Sequence, residues 1–372
     1  MIAITNCRYY KGTEILHNQS FLIRDGHIEA IGEMEIPDAY QQIDAEGQLI
    51  TPGFMELQIY GSGGNLFSAY PTLETLRQMD LDMIRKGNTS FLVCLATNSI
   101  DVFHKAIEAA KAYRAEAKAF MGLHLEGPYL NPKRLGAHPA VYVKKATLEE
   151  VKGLIEAADG VVKMMTLAAE LQDPAVIDYL RSAGVVLSLG HSDASYEQAT
   201  NAYNNGFTTT THLFNAMPQI HHRSPNLPVA LFSHPTAHGS IIADGEHVNF
   251  EVVKMAAKLM QDRLFLITDA VTACEIGPYK HRLLGDKFVT EDGTLSGSNI
   301  TLLQAVQNCV KHCDIALPRA LAMASTIPAK VIGRNQLTEL SSGMPANLLI
   351  LSHDLALKRV FVAGVEYLNP IN

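Results

Sequence analysis

The 372-residue sequence predicts an α/β fold: a closed (β/α)8 barrel with a small β-sandwich domain built from both chain ends. Three observations carry this reading. Eight short apolar runs alternate with helical stretches of ten or more residues, the mark of repeated βα units and a parallel sheet. Both termini are instead rich in short alternating strands broken by turn residues. The length suits one large unit plus a small companion, since a barrel alone takes about 250 residues.

The first fifty residues read as antiparallel strands. Ser20-Phe21-Leu22-Ile23-Arg24-Asp25-Gly26-His27-Ile28 carries an Asp-Gly hairpin signal. Residues 347–351 and 359–365 are two further β-rich runs, and pairing them with the N-terminal strands gives one β domain, 1–51 plus 341–372. The barrel occupies 52–340, with apolar runs at 54–60, 89–96, 120–125, 161–167, 185–189, 207–211, 239–243 and 264–268. Helical candidates among the connections are 73–86, 101–118, 196–205 and 249–260. A doubly wound open sheet is the rival architecture, but no Gly-x-Gly-x-x-Gly turn follows an early strand. Gly61-Ser62-Gly63-Gly64 lacks the Lys-Ser/Thr of a phosphate-binding P-loop.

Composition narrows the partners. Hydrophobic residues make up 47% and charged residues 18%, enough apolar content for a sizeable core and no sign of disorder. A net charge of −8 argues against nucleic acid and against an anionic membrane surface, either of which requires a basic face. No stretch approaches 18 uncharged apolar residues, and the N-terminus lacks a secretory pattern, so a cytoplasmic protein is expected. The five cysteines, Cys7, Cys94, Cys274, Cys309 and Cys313, offer no disulfide framework. Cys309 and Cys313 lie four apart on a helix candidate, but no second pair answers them as metal ligands.

Reacting groups in such a barrel sit at the C-terminal ends of the strands. Run three ends in His124-Leu125-Glu126-Gly127-Pro128, run five in Gly190-His191-Ser192-Asp193 and run six in Thr211-His212. Run seven ends in Asp244-Gly245-Glu246-His247 and run eight in Thr268-Asp269-Ala270. Two imidazoles and a carboxylate form a common catalytic metal set with one position open to water. Glu126, His191 and His212 are assigned to the metal, and Asp269 to carrying the proton of the attacking water. One such residue alone reads as a hydrogen-bonded structural group or a helix cap; four at the strand ends of one barrel point to metal-assisted hydrolysis. His124 alternates with Leu123 and Leu125 and is read as structural. His138, His221, His222 and Arg223 fall on rim loops, and Arg223 beside two histidines suits bidentate contact with phosphate or carboxylate.

Six motifs in series carry a resemblance. Ile50-Thr-Pro-Gly-Phe54 resembles the barrel entry of the amidohydrolase superfamily. His124-Leu-Glu-Gly-Pro-Tyr-Leu-Asn, Gly190-His-Ser-Asp-Ala, Thr211-His-Leu-Phe-Asn-Ala-Met-Pro, Ile242-Ala-Asp-Gly-Glu-His-Val, Leu266-Ile-Thr-Asp-Ala and Gly293-Thr-Leu-Ser-Gly-Ser resemble its N-acetylglucosamine-6-phosphate deacetylase family. The likeness runs from about residue 45 to about 350.

The resemblance implies one divalent metal per subunit on Glu126, His191 and His212. Zinc is the first choice, with iron, cobalt and manganese open. It implies Asp269 as general acid/base and His138 polarising the acetamide carbonyl. It further implies the main chain at Ala137, Asn215 and Ala216 and the side chain of His247 on the sugar phosphate, and Leu295, Ser296 and Gly297 near the acetyl group. Arg223 would reach the substrate of a neighbouring subunit, which implies a homodimer. The departure lies on the first strand: Gln58-Ile59-Tyr60 stands where many amidohydrolases have His-x-His and two metals. A single metal is therefore expected, with Gln58 near its water. The alternatives are another phosphorylated N-acetyl amino sugar such as the galactosamine epimer, a cyclic amide, or an inactive binding scaffold.

Overall fold

A computed structural model describes residues 1–368; positions 369–372, the end of the expected small domain, lie outside the described residues. Eight parallel strands follow one another around the barrel: Phe54–Ile59, Asn88–Ala96, Phe120–Glu126, Val162–Leu167, Val186–Leu189, Phe207–Thr210, His238–Ile241 and Leu264–Leu266. They coincide with the eight apolar runs to within two residues. The runs are near-continuously apolar because strands enclosed on both faces have no solvent side to mark by alternation. Between strands eight and one the ladder thins, and the barrel closes there through Asp269 N–H to the Gln58 carbonyl and Tyr60 N–H to the Ala270 carbonyl, each 3.0 Å.

The connecting helices bury one stripe each. Helix Leu73–Arg85 starts at the Thr72 cap and buries Leu76, Met79, Met83 and Ile84; helix Tyr196–Asn204 starts at a Ser195/Gln198 capping box. The helix read over 101–118 ends at Tyr113. Beyond it the N–H groups of Lys118, Ala119 and Phe120 donate to the buried Asp80 carboxylate, which turns the chain into strand three.

The chain ends share one eight-stranded sheet. Strand Ile2–Lys11 pairs through Ile2–Thr5 with Gln41–Asp44 and through Arg8 and Tyr9 with Leu49–Pro52, so the sheet changes partner midway and curls over its own core. Ile4, Phe21, Ile28, Ile50, Leu348 and Phe361 fill that core. Asp25 and Gly26, both left-handed, form the hairpin turn read from the sequence. The run read as 359–365 is in fact two strands, Leu357–Val362 and Val365–Leu368. Ala363 and Gly364 adopt φ of 45° and 73°, a two-residue turn hidden inside an apolar stretch.

A three-stranded antiparallel flap, Arg282–Leu284, Lys287–Val289 and Leu295–Ser298, had no counterpart in the sequence reading. It lies over the barrel mouth, joined by Ser298 N–H to the Asp269 carbonyl at 3.1 Å and by Lys287 to Glu246 at 2.6 Å. Gly297 makes that approach possible. A Cβ there would sit 2.6 Å from Val271 Cγ1 and 3.0 Å from the Asp269 carbonyl oxygen, at a φ of 146°.

Candidate active site

The strand ends deliver their polar groups into one cavity of about 140 Å³, open to solvent. His191, His212 and Asp269 each lie two or three residues past the end of a strand and all have left-handed backbones, with φ of 47°, 34° and 54°. Non-glycine residues rarely occupy this region, and here it turns each side chain off the strand direction into the mouth.

Glu126 Oε1, His191 Nε2 and His212 Nε2 form a triangle with edges of 3.3, 3.1 and 3.1 Å. A tetrahedral ion with bonds of about 2.0–2.1 Å sets its donor atoms about 3.3 Å apart, so the triangle has the dimensions of one face of such a site. The chemistry of the donors agrees. His191 Nδ1 lies 2.8 Å from the Arg134 carbonyl and must carry its proton there, leaving Nε2 as a bare lone pair facing a carboxylate. Two acceptors turned toward each other in a buried pocket call for a cation between them. His212 Nδ1 finds no hydrogen-bond partner among the described residues.

The rest of Glu126 is fully engaged. Gln58 Nε2 donates to Oε1 at 3.1 Å, while Tyr60 Oη and His138 Nε2, the latter at 3.2 Å, address Oε2. Burial opposes charge on this carboxylate, but the imidazoles of His138 and His191 hold it well below the usual range. Gln58 Nε2 also donates to Asp269 Oδ1 at 2.8 Å, so one amide ties the metal-competent carboxylate to the second carboxylate across the barrel. Burial raises Asp269 above its ordinary value, with His212 opposing. Burial also lowers His138 to about 4, keeping it neutral, and its Nε2 points into the cluster as a donor.

An outer layer fixes His191. The Arg134 guanidinium binds Asp193, through Nε at 2.8 Å and Nη2 at 2.7 Å, and Glu170 accepts from Asn131 Nδ2, Ser192 Oγ and Asp193 N–H. The loop whose carbonyl sets the tautomer of His191 is thereby fastened to residues on either side of it. His247 Nδ1 is paired with Asp244 at 2.6 Å, which aims its other nitrogen at the cavity.

Ala137, Asn215, Ala216, His247, Leu295, Ser296 and Gly297 all line the cavity with Glu126, His138, His191, His212 and Asp269. Gln58 lies just behind the wall, buried. Arg223 sits on an exposed loop outside the cavity of its own chain, beside the stacked rings of His221 and His222. His124 is structural: Nδ1 donates to the Leu57 carbonyl at 2.9 Å, Nε2 meets Thr166 Oγ1 at 2.7 Å, and burial lowers it to about 4. All five cysteines are free and buried.

Sequence reasoning missed Tyr60, Tyr279 and His281 as lining residues. Tyr60 was legible, standing two positions after Gln58 and so on the same face of the strand. Tyr279, whose hydroxyl donates to the Thr97 carbonyl at 2.7 Å, and His281, 2.9 Å from Ser296 Oγ, lie on the segment leading into the unforeseen flap and carried no local signal.

Comparison with known proteins agrees with this architecture. Residues 49–366 match the amidohydrolase family. The N-acetylglucosamine-6-phosphate deacetylase of Haemophilus influenzae is 32% identical over 94% of this chain and 95% of its own. The N-acetylgalactosamine-6-phosphate deacetylase of a Shewanella species is 32% identical over 85% of this chain and 82% of its own. The crystal structure of N-acetylglucosamine-6-phosphate deacetylase from Pasteurella multocida superimposes with a TM-score of 0.94 at 31% identity, covering 99% of this chain and 100% of that one. The chain belongs to the amidohydrolase family, among relatives that are deacetylases of 6-phosphorylated amino sugars.

Proposed function

We propose that the chain is a metal-dependent deacetylase that hydrolyses N-acetylglucosamine 6-phosphate to glucosamine 6-phosphate and acetate, serving amino-sugar catabolism or recycling in the cytoplasm. The observation that carries this reading is the Glu126–His191–His212 triangle with Asp269 tied to it through Gln58. One divalent ion, zinc by preference, held by those three residues would supply Lewis acidity for activating water and polarising the amide. Asp269 accepts the proton of the attacking water, and its raised affinity for protons suits it to deliver that proton to the departing amine. The C–N bond breaks and the oxygen of water stays with acetate. Neutral His138 donates through Nε2 to the carbonyl oxygen as negative charge develops there. The main-chain N–H groups of the 137 and 215–216 segments and the side chain of His247 hold the phosphate, with Leu295, Ser296 and Gly297 beside the acetyl group.

In a homodimer, Arg223 reaches the phosphate bound by the neighbouring subunit; its exposed position outside its own cavity supports this. The galacto epimer is the second reading, favoured by the Shewanella relative at the same identity as the Haemophilus one. The test is acetate release from both 6-phosphorylated epimers and from unphosphorylated N-acetylglucosamine, before and after chelation. Chelator-sensitive release from the phosphorylated gluco compound, fastest of the three, is expected. Release from none of them would overturn the substrate assignment, and faster release from the galacto compound would move it to the epimer.

A further inference from the structure

Glu56 lies in the first barrel strand, fully buried, outside every role described so far. Its carboxylate accepts two main-chain hydrogen bonds. Oε1 takes the N–H of Gln58 at 2.9 Å, and Oε2 takes the N–H of Thr268 at 3.0 Å. These donors lie on strand one and on the segment after strand eight, the two sides of the seam where the barrel ladder is thin.

The need for such a carboxylate follows from the way strand eight ends. The strand stops at Leu266, two residues before Thr268, whose N–H has no main-chain acceptor among the described residues. A buried N–H without a partner is costly, and Glu56 supplies the acceptor. The same carboxylate holds the N–H of Gln58, whose side chain donates to both Asp269 and Glu126. One buried group thus sets the main chain beneath Gln58 and immediately before Asp269.

We propose that Glu56 is a positioning residue for the hydrolysis: by bridging Gln58 and Thr268 across the barrel seam it fixes Asp269 in its working position. The inference rests on the reading of Asp269 as the proton carrier. The three candidate metal ligands come from strands three, five and six, and the link from Glu56 to them runs through the Gln58 amide on Glu126.

Glu56→Gln tests it. The amide is nearly isosteric but accepts at one end only, so one N–H faces an NH2 group and the seam relaxes. Displacements of about 1 Å cost about 10²-fold in rate. A fall in kcat of that order is expected, with KM within about twofold because the phosphate contacts lie elsewhere, and with metal retained because Glu126, His191 and His212 are themselves unchanged. In the Asp269→Asn background, Glu56→Gln should cause no further loss, since a positioning residue has nothing left to position. Wild-type kcat in Glu56→Gln, or its full factor of loss persisting in the Asp269→Asn background, overturns the proposal. Should Glu56→Gln fail to fold, Glu56→Asp, which keeps both acceptors but shortens their reach, carries the same comparison with the same outcomes. Wild-type activity in Asp269→Asn alone would instead overturn the role of Asp269, which separates the two failures.

Discussion

Replacing Asp269 by Asn is the sharpest test of the mechanism, because the structure says what survives it. Asp269 Oδ1 accepts from Gln58 Nε2 at 2.8 Å, its N–H donates to the Gln58 carbonyl at 3.0 Å, and its own carbonyl accepts from Ser298 at 3.1 Å. An asparagine with its oxygen toward Gln58 keeps all three, and Glu126, His191 and His212 are untouched. What disappears is the basic oxygen. A general acid–base group is worth about 10²–10⁴-fold, and at about 1.36 kcal/mol per tenfold that adds about 3–5 kcal/mol to the barrier. The upper part of that range is expected, because in the proposed mechanism the same carboxylate handles the proton twice. The assay is steady-state acetate release with metal content measured on the same preparation. Undiminished metal, KM within a few-fold and kcat down by about 10³–10⁴ agree with the mechanism. A kcat within tenfold of the wild type would refute it; loss of metal would show that Asp269 belongs to the ligand set.

Three further outcomes follow from the geometry. Asp193→Ala frees the Arg134 guanidinium, loosens the carbonyl that fixes His191, and should weaken metal retention about tenfold in a chelator competition; unchanged retention would remove Asp193 from the support of the centre. Gly297→Ala drives a Cβ into Val271 Cγ1 and against the Asp269 carbonyl, so kcat should fall, and Val271→Ala in the same chain should recover part of it; no recovery would mean that backbone strain at Gly297 dominates. Burial holds His281 at about 4 against an ordinary value of 6.5, so the unfolded chain binds the extra proton between those values, and stability contributed by the neutral ring is lost as pH falls through that window. Between pH 7.5 and 5.5 the loss is about 1 kcal/mol, and His281→Asn should show a smaller drop by that amount in urea unfolding at the two pH values. Equal drops would show that the folded protein leaves His281 at its ordinary value.

The barrel was legible in the sequence because a strand buried on both faces must be apolar throughout, so the eight runs and their polar ends appear as uninterrupted text. The candidate ligands Glu126, His191 and His212 and the proposed acid/base Asp269 could be read for the same reason: each sits at the first polar position after a run, where a barrel turns its side chains into the mouth. Local signals also marked the Asp25-Gly26 turn. The Ala363-Gly364 turn stayed hidden, since alanine is no turn former and only pairing with the neighbouring strand drives it left-handed. The flap was invisible because its strands are short, and Arg282, Leu283 and Leu284 are exposed, so no periodicity betrays them. The links that make the four site residues a unit were beyond the sequence altogether. Gln58 between two carboxylates, the Arg134 carbonyl on His191, and Glu56 across the seam join residues as far as 212 positions apart. Composition and spacing fix which side chains are available and which way a strand end sends them. Which of them meet is decided by closure of the barrel, since a hydrogen bond depends on sub-ångström distance between groups that sequence order does not relate.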